Sequence, residues 1–123
     1  MINLLFATVL VTALNTSLAD ITRAISSGDA DALGQYFDQT VEVAVLDQED
    51  MYDRAEAVRI VKDFFAKNKP AGFREVHQGT SKGADSQYVI GNMSTTSGTY
   101  RVYIYMKVTD SKFVIQELRF DQQ

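Results

Sequence analysis

The chain has 123 residues, 46% of them hydrophobic, which suits one packed core and is short for two. Twelve basic against sixteen acidic residues give a net charge of −4 with no basic run, so the cationic footprint of nucleic-acid binding is missing. The lack of cysteine removes disulfides, thiolate zinc sites and thiol catalysis together, and leaves the redox compartment open.

No charged residue precedes Asp20, and Leu4 to Leu14 is an apolar run broken only by Thr8 and Thr12. Its length suits the hydrophobic region of a secretory signal and is too short for a membrane span. Ser17-Leu18-Ala19 then puts small residues at the two positions a signal peptidase reads, so cleavage is expected after Ala19. Met1-Ile2-Asn3 departs from the usual pattern, because it carries no lysine or arginine. The competing reading is a structural helix, since Leu10, Leu14, Leu18, Ile21 and Ile25 form one helical stripe. The chain thus divides into a signal peptide over 1–19 and a single domain over 20–123.

In that domain Ile21, Ala24 and Ile25 mark a short helix that stops at Ser26-Ser27-Gly28. Gly28 suits the left-handed position past a helix end, and Asp29 can cap a second helix with Leu33, Tyr36 and Phe37 on one side. Val41 to Leu46 reads as a strand with Val41, Val43 and Val45 on one face, and Asp47 to Met51 as an acidic turn. A third helix is expected from Arg54 to Lys69. Asp53 and Glu56 have capping-box spacing, Val58, Val61, Phe64 and Phe65 form a buried stripe, and Pro70 stops the helix. Four strands follow, at about 73–81, 86–96, 99–109 and 113–121, joined as hairpins by Lys82-Gly-Ala-Asp85, Ser97-Gly98 and Thr109-Asp-Ser-Lys112. Helices first and long strands afterwards point to an α+β layer packing, with three helices on an antiparallel sheet.

Several short stretches together resemble a known family. They are Ser26-Ser27-Gly28-Asp29 through Tyr36-Phe37, Asp63-Phe64-Phe65 with Asn68 and Pro70, Phe73 with His77 and Gly79, Tyr88 to Gly91, and Gly98 to Tyr103. In this order the chain is similar to the cone-shaped nuclear-transport-factor-2-like superfamily, also called cystatin-like. Within it the chain looks like the bacterial domain of unknown function 4783. The resemblance implies a curved sheet wrapped around the third helix and an exported location. It implies no activity.

Such a cone leaves a mouth that relatives use as a ligand pocket. The resemblance and strand parity would line it with Tyr36, Phe37 and Phe64 from the helical side. Val102, Ile104, Met106, Gln116 and Leu118 would contribute from the last two strands, making a mostly apolar wall suited to a small apolar ligand. Phe73, Glu75 and His77 share one face of their strand by parity. A carboxylate and an imidazole two residues apart could work as acid and base if that face is inward, and are inert at a sheet rim. One histidine and scattered carboxylates do not make a metal site, and no phosphate loop or cofactor motif is present.

The opposite face of the 99–109 strand carries Arg101, Tyr103, Tyr105 and Lys107 in a row, with Phe113, Ile115, Glu117 and Arg119 expected beside them on the last strand. Tyrosine, arginine and exposed aliphatics favour interface cores, so self-association through this face is expected. The same pattern also occurs as cross-strand pairing at a wet surface. The resulting reading is an exported, non-catalytic module that binds a ligand or a protein and forms a homodimer, located in the periplasm or cell envelope. The alternative is a small pocket enzyme doing proton-transfer or hydrolytic chemistry with Glu75 and His77. A third reading, an intracellular assembly protein, would keep Met1 to Ala19 as a docking helix. Mass spectrometry of the native protein should find Asp20 as its first residue; an intact Met1 refutes the signal reading.

Overall fold

Residues 17–80 and 85–123 are described by a computed structural model, and within them three helices lie against a six-stranded sheet. The order is α1 (17–27), α2 (Ala30–Gly34), β1 (Phe37–Val45), β2 (Gln48–Asp53), α3 (Arg54–Lys67), β3 (Pro70–Thr80), β4 (Ser86–Thr95), β5 (Gly98–Thr109) and β6 (Lys112–Gln122). The apolar run Leu4 to Leu14 and most of the expected turn from Lys82 lie outside the described residues.

Local chemistry explains the helix ends. Gly28 takes φ 72°, which lets its N–H reach the Ile25 carbonyl and the Asp29 N–H reach the Ala24 carbonyl. Asp29 then accepts from the Ala32 N–H and starts α2. The second helix is shorter than expected, because it stops at Gly34 and Phe37 becomes the first residue of β1. Asp53 accepts from the Glu56 N–H at 2.8 Å and caps α3. That helix ends two residues early, where Asn68 donates both its backbone and its side-chain N–H to the Phe64 carbonyl. Pro70 opens β3.

The expected acidic turn is instead a two-residue turn, Leu46 and Asp47, followed by strand β2. Gln-Glu-Asp-Met-Tyr-Asp has no apolar alternation because β2 is an edge strand with little of either face buried. The sheet order is β2-β1-β6-β5-β4-β3. The α+β cone with a curved sheet is present, and one pairing departs from the antiparallel pattern: β1 runs parallel to β6. The β5–β6 connection is a two-residue turn in which Asp110 and Ser111 both have positive φ, as the twist of a hairpin favours.

Two irregularities decide which side chains face the helices. In β6, Tyr105 pairs with Glu117 and Met106 with Ile115, so Gln116 is an extra residue. In β3, Glu75 pairs with Gly91 and His77 with Ile90, so Val76 is extra. The helix-covered face carries Val41, Val43, Val89, Met93, Val102, Ile104, Met106, Leu118 and Phe120, all with at most 1% exposure. Ile21 and Ile25 of α1 and Phe64 and Phe65 of α3 close this core. Phe120 lies 4.7 Å from the Phe64 ring and 5.8 Å from the Phe65 ring. Phe120→Ala should cost about 3–5 kcal/mol in urea-induced unfolding, the range for a fully buried aromatic. A loss below about 1 kcal/mol would show that this ring is not central to the core.

Candidate functional site

The cone interior is filled rather than hollow. Val102, Ile104, Met106 and Leu118 have no exposed surface and form the packed core, so they do not line a pocket. Tyr36 and Phe37 reach one open groove of about 860 Å³, beside Arg54, Lys112 and Phe113. Phe64 reaches a separate groove of about 570 Å³, with Leu46, Ile60 and Tyr100. Gln116 turns to the opposite face, where its amide donates to Asp38 at 3.1 Å. The expected single pocket is therefore dispersed: three of its residues line two end grooves, four are core, and Gln116 is outside. Tyr36 donates its hydroxyl to Asp20 at 3.0 Å; burial first, then this bond, raises its pKa.

The bulge at Val76 also separates Glu75 from His77. Cross-strand partners share a face, so Glu75 lies on the side of Gly91 and His77 on the side of Ile90. Both side chains are exposed, and the His77 Nε2 meets the Tyr88 hydroxyl at 2.9 Å. The expected acid–base pair is not brought together. Among the described residues, no group of three or more histidine and carboxylate side chains could hold a metal ion. No helix among them is long and apolar enough to cross a membrane.

The face turned away from the helices is more ordered chemically. Successive register pairs set His77, Ile90, Tyr103, Arg119, Ala44 and Glu49 in one row across the sheet. The neighbouring row holds Gly79, Tyr88, Tyr105, Glu117, Glu42 and Met51. Tyr88 stacks on Tyr103 with centroids 6.2 Å apart and planes 25° from parallel. Tyr88, Tyr103 and Tyr105 are half-buried, while Arg101 and Lys107 are exposed. Ile115 does not join this row. The bulge at Gln116 turns it inward, where it is fully buried. Glu117 and Arg119 do stand beside the row as expected; the part played by Tyr88 and Glu42 escaped the sequence reading, because only strand order sets them on this face.

Glu42 and Glu117 stand directly opposite in the parallel β1–β6 pair, above a groove of about 350 Å³ that Asp38 and Tyr105 also line. Burial first, then the adjacent Glu42, pushes the Glu117 carboxyl above its ordinary pKa, against the lowering effect of Arg119. Burial, with Glu117 next, likewise raises Tyr103.

The family model for domain of unknown function 4783 matches residues 18–121. The chain belongs to this family. A solved DUF4783 protein from Bacteroides ovatus is 30% identical, with TM-score 0.80, and the match covers 85% of this chain and 94% of that one. Another, from Bacteroides fragilis, is 26% identical with TM-score 0.79 over 85% and 96% of the two chains. An NTF-2-like protein of unknown function from Silicibacter pomeroyi shares the fold at 12% identity, with TM-score 0.66 over 95% and 98%. No curated protein matches the chain. The DUF4783 domain thus shares the fold of nuclear-transport-factor-2-like proteins.

In this DUF4783 domain the folded Glu117 carboxyl holds its proton to higher pH than the unfolded one. The folded chain then binds more protons across that window, and stability falls as pH rises through it. Glu117→Gln should therefore raise the Tm of dilute protein at about pH 7 and lose that advantage near about pH 3, below both values. An equal gain at both pH values, or a loss at neutral pH, would refute the assignment.

Proposed function

We propose that this protein is an exported, non-catalytic binding module that self-associates through the outer face of its sheet. The observation that carries the reading is the contrast between the two faces. One face is closed by side chains with no exposed surface, while the other leaves Tyr88, Tyr103 and Tyr105 half-covered between exposed cations. Tyrosines of this kind supply contact area at low entropic cost and need a partner to finish desolvating them. The separation of Glu75 from His77 by the Val76 bulge weighs against acid–base catalysis at that strand.

Export rests on the uncharged, apolar start of the chain and on the small residues at Ser17 and Ala19. The family match begins at residue 18, so the apolar run lies ahead of it. A small apolar ligand belongs in this reading to the groove beside Tyr36, Phe37 and Phe113, where aromatic surface meets Arg54 and Lys112.

Analytical ultracentrifugation at about 10 μM tests the self-association, since stable interfaces of ordinary size hold at that concentration. The expected particle has twice the chain mass, and Tyr103→Glu should reduce it to a single chain by burying an unpaired charge. A wild-type particle of single-chain mass overturns the reading.

A further inference from the structure

The outer face is polarised across its width. On β2, β1 and β6 it carries Glu49, Asp38, Glu42 and Glu117, with Asp121 towards the end of β6. Arg119, in the middle of that half, is held by Glu49 at 3.0 Å and Glu117 at 3.7 Å, and Lys112 stands apart at the hairpin end. On β5, β4 and β3 the same face presents Arg101, Lys107 and Arg74 and, among the described residues, no carboxylate. None of these three cations takes part in an ion pair among the described residues. The boundary runs between β6 and β5, which is the middle of the six strands.

We infer that two copies meet face to face about a two-fold axis running along the strands between β5 and β6, so that the acidic half of each covers the cationic half of the other. This orientation rests on the self-association reading and goes beyond it. A two-fold interface must be self-complementary. An axis across the strands would set acid on acid and cation on cation, which costs several kcal/mol where like charges meet. An axis along the strands keeps each residue at its own height and exchanges the halves. β6 of one copy then lies on β5 of the other, Arg101 comes over Asp121 of the second copy, and Lys107 approaches its Asp38–Glu117 groove.

The test is a charge swap on the exposed or half-buried residues Arg101, Lys107, Glu42 and Asp121. Arg101→Glu with Lys107→Glu makes a mainly acidic face, and Glu42→Lys with Asp121→Lys makes a mainly cationic one. Circular dichroism confirms that each variant folds. Each alone should dimerise at least ~10-fold more weakly than wild type, and an equimolar mixture should form a heterodimer within about 3-fold of wild-type affinity. A wild-type dimer that both variants leave intact, or a mixture no tighter than its components, overturns the orientation and spares the self-association. A monomeric wild type overturns both.

Discussion

Phe120 on the last strand has no exposed surface and lies against Phe64 and Phe65 of α3. This contact ties the long helix to the centre of the sheet, with Tyr100 packed edge-on against Phe64 at 5.2 Å. With these rings in place, the described side chains at the centre of the cone are packed with no exposed surface. The open space moves to the two ends of the helical layer, and the wet surface available for a broad contact is the other face of the sheet.

A strand side chain has two faces available, and one extra residue exchanges them. Gln116 keeps Leu118 and Phe120 inward together with Phe113 and Ile115, at a point where unbroken alternation would have put one of these pairs into water. Val76 does the same on β3, and it moves Glu75 and His77 to opposite sides. The same two insertions therefore pack the core, dissolve the acid–base pair and assemble the outer rows of tyrosines and charges.

Those rows have a physical character that neither a lone strand nor an isolated hairpin possesses. Carboxylates concentrate where β1 meets β6 in parallel, while the antiparallel β3–β4–β5 half is aromatic and cationic. A surface that carries both halves of a charge match can bind a second copy of itself, and hydrophobic area alone would not select one orientation.

Much of the fold was legible in the residues. The stop at Gly28, the cap at Asp53, the stripe of Val61, Phe64 and Phe65, and the alternation of Tyr100 to Met106 are local signals read within a few residues. The cations and tyrosines of β5 were likewise placed outward by period alone. Of the second half of the site, Glu117 and Arg119 were legible and the rest was not. An edge strand exposed on both faces has no hydrophobic period, so β2 passed for a turn. A bulge has no mark in the residue that makes it, so Ile115 and Gln116 were assigned to each other's faces. Sequence by itself thus determined most of the element types, the helix caps at Asp29 and Asp53 and the apolar face of β5, because propensity and periodicity act over one or two turns of chain. Tertiary structure decided which strands are neighbours, which residues are inserted and hence which charges share a face, because register depends on filling one core across the whole sheet.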